Sequence, residues 1–374
     1  MAPAAHDAGH GMRPGATPAP AAGSATPLTL ADLDYELPPE LIAQHPVEPR
    51  DASRMLVVRR SGAGLEDRGF RDLPGLLRCD DVLVRNDTRV FPARAFFKRP
   101  SGGRIEALFL RPLEAGARQE RWEALLRGRP QRGERLASEA LGEAWEVRCD
   151  EPLGEGRWAL VSEGSSPVLD LLRDAGRTPL PPYIHAPLED GERYQTVYAR
   201  AVGSSAAPTA GLHFTPVVDA ALAKAGVSVE TVTLHVGLGT FRPLHEERLD
   251  DNRLHAERFA VEGAAWRRIA AARADGRRVV AVGTTTVRTL EHLARQTEEP
   301  PGDDVFRGET DLFIRPGFAF RVVDALLTNF HLPRSSLLAL VMAFCGVEEA
   351  RAAYRHAIDG GYRFYSFGDA MLAL

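Results

Sequence analysis

The chain has 374 residues, 44% of them apolar and 26% charged, with a formal net charge of −5. That length suits one large domain or two ordinary ones, and the composition is that of a water-soluble globular protein. No run approaches ~18 consecutive apolar residues, so no membrane-spanning helix is expected, and the negative balance argues against nonspecific coating of nucleic acid.

Residues 1–27, mostly Ala, Pro, Gly and Thr, lack a basic start followed by an apolar core. They read as a disordered tail rather than a secretory signal. Structure is expected from Leu28 on, with a short helix over 39–44 after Pro38. A strand follows over 54–60, then a short helix over 70–77, then a strand over 81–85 ending in the turn Asn86-Asp87-Thr88. Between 90 and 176 short apolar runs (105–110, 122–126, 145–148, 158–161) alternate with Gly- and Pro-bearing punctuation, the pattern of a small antiparallel barrel. From Arg94 to Arg135 eleven basic residues stand against five acidic ones. That stretch is a candidate nucleic-acid surface; the alternative is that these charges solvate the outer faces of barrel strands.

From Thr178 the texture changes. A helix is expected over 217–225, stopped by Gly226, then a strand over 229–235. A helix over 264–275 closes at Gly276, and a strand over 278–282 runs through Gly283 into a helix over 285–295. A strand over 322–326, an apolar helix capped by Ser335 or Ser336 and reaching Cys345, a helix over 348–359 and a last strand over 362–367 complete the chain. Alternation of this kind argues for layered α/β structure. The expected fold is therefore α/β: a layered catalytic domain formed by 28–90 and 178–374, with a small antiparallel β-barrel domain inserted at 91–177. The three cysteines, Cys79, Cys149 and Cys345, are far apart and form no CxxC pair, which fits a reducing cytoplasm without structural zinc.

Four segments are poor choices for building a core. One runs from Ser204 to Thr215 and delivers His213 just before a helix that Thr215 could cap. A second, His235-Val236-Gly237-Leu238-Gly239-Thr240-Phe241-Arg242, follows a strand, and its glycines let backbone N–H groups approach a ligand. A third, Gly283-Thr284-Thr285-Thr286-Val287-Arg288, is a strand-to-helix junction of the kind that suits an anion. The fourth pairs Gly308-Glu309-Thr310-Asp311 with Thr328-Asn329-Phe330-His331 and Arg334. Strand ends that open into polar turns are where α/β sheets bind ligands. His255-Ala256-Glu257 has the H-x-E look of a zinc deaminase, but the matching P-C-x-x-C is absent. Zincin, α/β-hydrolase and P-loop signatures are absent too. A metal site built from His235, His245 and His255 is an alternative. The residues alone point to a His- and carboxylate-based transferase or hydrolase acting on a polar ligand.

Longer strings carry a resemblance. Asp34-Tyr35-Glu36-Leu37-Pro38, Pro49-Arg50-Asp51-Ala52-Ser53-Arg54, Asn86-Asp87-Thr88-Arg89-Val90, Tyr194-Gln195-Thr196-Val197-Tyr198-Ala199 and the four turns above are similar to the S-adenosylmethionine:tRNA ribosyltransferase-isomerase family. The likeness extends to Phe367-Gly368-Asp369-Ala370-Met371 and is thinnest in the barrel. Small departures occur, such as Leu254 where the family tends to have Met. The resemblance implies an α/β domain carrying a barrel, and a reaction of queuosine biosynthesis. In that reaction the ribosyl part of S-adenosylmethionine passes to the 7-aminomethyl group of a 7-deazaguanine at the tRNA wobble position. Isomerisation gives epoxyqueuosine, with loss of adenine and methionine. It also implies tRNA and S-adenosylmethionine as partners, the latter consumed rather than held as a cofactor; with no membrane and no metal expected, the chain is read as a cytoplasmic monomer.

Such chemistry needs a base beside the sulfonium, an acid for the departing adenine and a neutral incoming amine, tasks that suit His near neutral pH. His213 and His331 are the leading acid–base candidates, with His235 and His255 next. Glu257 and Asp311 would orient them or meet the sulfonium charge. Arg242, Arg288 and Arg334 would take the methionine carboxylate or a tRNA phosphate. Thr209, Gly211, Gly237, Gly239, Thr240, Thr285 and Asn329 complete the expected binding surface, bordered by Arg50, Asn86 and Arg89. Arg94, Arg99, Arg104, Arg127 and Arg129 are candidates for holding the anticodon arm.

Overall fold

The computed structural model describes residues 28–374 apart from 61, 63, 115–119, 165, 238–243 and 297–303. In chain order the first elements are β1 (Arg54–Arg59), β2 (Gly64–Gly69), α1 (Leu73–Leu76), β3 (Val82–Asn86) and β4 (Thr88–Val90). Six strands then run without interruption: β5 (Arg94–Lys98), β6 (Arg104–Glu114), β7 (Arg121–Arg127), β8 (Arg135–Ser138), β9 (Gly142–Gly154) and β10 (Arg157–Glu163). After α2 (Val168–Ala175) come β11 (Ala201–Ser204), α3 (Pro216–Lys224), β12 (Ser228–Leu234), β13 (Glu257–Glu262) and α4 (Gly263–Ala274). The remainder is β14 (Val279–Val282), α5 (Thr284–Gln296), β15 (Val305–Thr310), β16 (Ala325–Asn329), α6 (Ser336–Cys345), α7 (Val347–Asp359) and β17 (Ala370–Ala373).

Nine strands form one sheet in the order β15-β13-β12-β3-β14-β16-β17-β1-β2. Its centre, β12-β3-β14-β16, is parallel. Strands β14, β16 and β17 are buried at every residue, as strands covered on both faces must be. One face packs against apolar side chains of α4 to α7, including Trp266, Ile269, Leu290 and Leu338. The other packs against α1 and α3 through Leu73, Val218 and Leu222, with Phe70 and Phe214 between. Local signals set the helix ends: the Thr215 hydroxyl accepts from Val218 N, the Ser335 hydroxyl accepts from Leu338 N, and Gly226 and Gly276 hold φ of +84° and +78° beyond α3 and α4.

The six middle strands close into an antiparallel barrel, β10-β7-β6-β5-β8-β9. Its core is aromatic, with Trp145 meeting Phe97 at 5.0 Å and Phe109 at 5.6 Å between centroids. Helix α2 packs on it through Val168 and Leu172. The chain enters and leaves side by side: Arg94 N donates to Arg177 O (3.1 Å) and Arg177 N to Arg94 O (2.8 Å). The approach is so close that a Cβ on Gly176 would lie 1.9 Å from the Pro92 carbonyl oxygen. No described helix is long and apolar enough to cross a membrane.

The differences from the sequence reading have physical causes. The strand expected over 322–326 begins at Ala325, because the N–H groups of residues 321–323 are taken by the buried Glu291 carboxylate instead of a ladder. The strand expected over 362–367 is irregular: Tyr362, Phe364 and Tyr365 are spent on core packing, Tyr365 sits at φ +71°, and the sheet strand is β17. The helix expected over 39–44 is a three-residue turn, Pro39–Leu41. Polar-faced β2, β5, β8, β13 and β15 were not foreseen.

Candidate active site

A cavity of about 270 Å³ opens between the barrel and the sheet. The sheet side supplies Gly203, Ser205, the segment His235-Val236-Gly237 that follows β12, residues 254–258 leading into β13, Glu309, Arg288 of α5 and Ser336 at the start of α6. The barrel side supplies Leu110, Arg111, Glu123, Leu125, Glu155 and Arg157. The sheet side thus uses the carboxyl ends of parallel strands, where loops diverge and polar groups can gather.

His235 is fixed at both its ring and its back. Its Nδ1 lies 2.8 Å from Thr88 Oγ1, and that hydroxyl lies 3.4 Å from the Ala201 carbonyl. Gly203, at φ +152°, lies under the ring; a Cβ there would come within 2.7 Å of Cε1. Burial, then the charge of Arg258, pushes the His235 pKa down to about 4, so the imidazole is neutral near pH 7. With the Thr88 proton given to Ala201 O, Nδ1–H donates to Thr88 Oγ1 and Nε2 is left as the proton-accepting nitrogen.

Glu257 and Arg288 are both buried. Glu257 Oε1 accepts from Gly237 N at 2.9 Å, and Oε2 pairs with Arg288 Nη1. Arg288 Nε and Nη2 donate to the carbonyls of Leu312 (3.1 Å) and Thr310 (3.2 Å). All three of its nitrogens are therefore engaged by the protein, and Arg288 positions Glu257 rather than offering a fork to a ligand. On the opposite wall the buried carboxylate of Glu123 takes Arg111 Nε (2.8 Å) and Arg157 Nη1 (3.0 Å), and Arg111 Nη1 reaches Glu309 on β15 (3.2 Å).

The expected site residues therefore divide. The cavity gathers His235, Gly237, His255, Glu257 and Arg288. His213 lies elsewhere, stacked on Phe70 at 5.1 Å between Ser53 (Nδ1 to Oγ, 2.7 Å) and Asn329 (Nε2 to Nδ2, 3.2 Å). Burial holds its pKa at about 4. Beside it and Arg50 is a cavity of only about 20 Å³, room for about one water and not a sugar. His331 is a core residue: Nε2 is 3.3 Å from Thr328 Oγ1, its N–H donates to Tyr354 OH at 3.0 Å, and burial lowers its pKa to about 3. In this arrangement neither leading candidate reaches the larger cavity.

Several expected binding residues are engaged by other groups of the protein. Asn86 ties Leu234 N and O and Thr285 Oγ1 together. Arg50 donates to the Gln195 and Glu192 carbonyls (both 2.7 Å) and Arg89 pairs with Glu192. Arg334, at φ +54°, pairs with Asp34. Gly211 is dictated by packing, since a Cβ would lie 2.2 Å from Tyr198 OH. Thr209 opens the turn Thr209–His213, and Asp311 is exposed outside both cavities. Gly239, Thr240 and Arg242 lie outside the described residues. The barrel wall, with Arg111, Glu123 and Arg157, was missed; nothing in an alternating strand marks which outward face meets a ligand. Arg258 was missed too, although it adjoins Glu257.

Four of the five barrel arginines considered for RNA carry glutamate partners: Arg94 with Glu106, Arg99 with Glu134, Arg104 with Glu139 and Arg127 with Glu106. Among the described residues no three His, Cys, Asp or Glu side chains form a metal-holding group.

Comparison with known proteins shows the family. A family model described as queuosine biosynthesis protein matches residues 30–373. A protein of Anaeromyxobacter sp. (strain Fw109-5) is 52% identical over 348 residues, covering 92% of this chain and 99% of its own length. One from Rubrobacter xylanophilus is 54% identical over 344 residues, covering 92% and 97%. Both are named S-adenosylmethionine:tRNA ribosyltransferase-isomerase. The crystal structure of S-adenosylmethionine tRNA ribosyltransferase from Thermotoga maritima is similar at TM-score 0.53 and 39% identity, over 92% of this chain and all of that one.

Proposed function

The chain belongs to the S-adenosylmethionine:tRNA ribosyltransferase-isomerase family of queuosine biosynthesis, and from that premise we propose how its residues divide the work. The enzyme transfers the ribosyl part of S-adenosylmethionine to the 7-aminomethyl-7-deazaguanine at the tRNA wobble position and isomerises it, giving epoxyqueuosine-tRNA, adenine and methionine. The match over residues 30–373 carries this conclusion. The cavity between barrel and sheet is the proposed reaction site. S-adenosylmethionine is consumed, so the proposal needs no resident cofactor; it sets the reaction in the cytoplasm, with a single chain as the working unit.

His235 is the proposed base. A neutral imidazole with Nε2 free to accept can take the proton beside the sulfonium, and Thr88 and Gly203 hold the ring for that task. Glu257, anchored by Gly237 N–H and Arg288, supplies negative charge toward the sulfonium. His255, exposed at the cavity rim, is the proposed donor to the departing adenine. His213 and His331, buried and neutral, support the fold.

The deciding experiment incubates the purified protein with S-adenosylmethionine and tRNA bearing the aminomethyl-deazaguanine. Adenine release in step with tRNA modification is expected; intact S-adenosylmethionine after prolonged incubation would overturn the assignment.

A further inference from the structure

The proposed reaction brings an anion to the cavity, either the carboxylate of the methionyl group or a phosphate flanking the wobble nucleotide. Of the arginines first considered for it, Arg288 is fully occupied, Arg334 pairs with Asp34, and Arg242 lies outside the described residues. Arg258 stands differently. It lines the cavity from β13, is half-buried, and among the described residues its guanidinium has neither a hydrogen bond nor an ion pair. The other arginines of the cavity all have carboxylate partners: Arg111 has Glu123 and Glu309, Arg157 has Glu123, and Arg288 has Glu257.

The cause is visible in the strand register. Arg258 lies directly across from Glu309 on β15, the natural cross-strand partner. The barrel's Arg111 takes that carboxylate instead, at 3.2 Å. Docking of the barrel thus frees a cation on the sheet wall. Burial, and after it repulsion from Arg111, holds the Arg258 pKa below its ordinary value, and Glu309 and Glu123 offset this only through space. A half-buried charge without a counter-ion is unfavourable, and a ligand oxyanion would remove that cost on binding.

We propose that Arg258 is the anion-recognition residue of the cleft, receiving a substrate oxyanion, carboxylate or phosphate, through its unoccupied planar fork. This rests on the functional reading above. Calorimetric titration of the full-length protein and of Arg258→Gln tests it, with S-adenosylmethionine, decarboxylated S-adenosylmethionine and the tRNA as separate ligands. If the anion is the carboxylate, Arg258→Gln weakens S-adenosylmethionine by about ten- to a hundred-fold and leaves the decarboxylated compound unchanged. If it is a phosphate, tRNA affinity falls and the slope of log affinity against log salt shrinks by about one, while S-adenosylmethionine is unaffected. Arg258→Lys should restore part of either loss. The ligand-free Arg258→Gln protein should melt at the same temperature or higher, because an uncompensated charge is gone; a marked drop would make Arg258 a structural residue and overturn the proposal. Unchanged binding of both ligands would also overturn it. Should the unsubstituted protein bind neither ligand, the functional reading itself falls.

Discussion

On the barrel, Arg104 meets Glu139 at 3.0 Å and Arg135 on β8 meets Glu163 on β10 at 2.9 Å, with the arginines more than half exposed. Under the sheet, Glu291 is wholly buried, its carboxylate taken by the N–H groups of Arg321, Val322 and Val323 and by Arg295. Over residues 94–163 thirteen basic residues face twelve acidic ones, so the barrel's charges largely cancel as surface pairs. The sheet instead draws individual carboxylates inward, where each fixes a loop: Glu291 the approach to β16, Glu257 the turn at Gly237, and Asp369 the backbone at Arg54 and Arg363. Apart from the buried Glu123 at the cavity wall, the same side chains are mostly surface pairs in one region and framework in the other. The proposed reaction cavity lies where the two habits meet.

The contrast can be broken most sharply at Glu291. Glu291→Ala leaves three N–H groups and Arg295 without their acceptor in a dry interior, and a loss of about 3–5 kcal/mol is expected in urea unfolding; a loss below about 1 kcal/mol would mean the loop re-pairs easily. At the cavity, His235→Gln should lower kcat by about 100-fold or more with little change in melting temperature. Gly203→Ala should lower it through displacement of the ring. Near-normal turnover in both would remove His235 from the chemistry.

Acid titration comes next. His213 and His235 are held at about 4 and His331 at about 3 in the folded protein, against about 6.5 when unfolded. The unfolded chain therefore binds more protons between these values, so stability falls as pH drops from about 6.5 to about 4. Melting temperatures across that range should show the fall, and His213→Gln should flatten it. The smallest effect belongs to the barrel: a double-mutant cycle on Arg104 and Glu139 should give a coupling below about 1 kcal/mol, screened by salt. Replacing Arg94, Arg104 and Arg127 by Gln should leave the salt dependence of tRNA binding nearly unchanged.

What was legible in the sequence was local. Thr215, Gly226, Gly276 and Ser335 sit where helix ends need a cap or a left-handed residue, and short-range chemistry is enough to read them. The cavity residues His235, Gly237, His255, Glu257 and Arg288 were legible because turns rich in His and Gly are poor core material. The late start of β16 was not legible, since a carboxylate more than thirty residues away captures its N–H groups. Nor was the partition of histidines: His213 and His331 differ from His235 only in the tertiary walls around them. The freedom of Arg258 depends on a barrel arginine about 150 positions earlier, which no local pattern encodes.

The order of strands in the sheet also bears on synthesis. β1 is made early, yet its inner neighbour is β17, paired from Met55↔Ala370 to Val58↔Ala373. At ordinary elongation rates the two are separated by on the order of tens of seconds. Through that interval the inner edge of β1 has no permanent ladder partner, while the barrel, whose strands are all contiguous in the chain, can close as soon as β10 emerges. On the ribosome the barrel is therefore the first folded body, and the half-made sheet is the segment that most needs a chaperone's shelter.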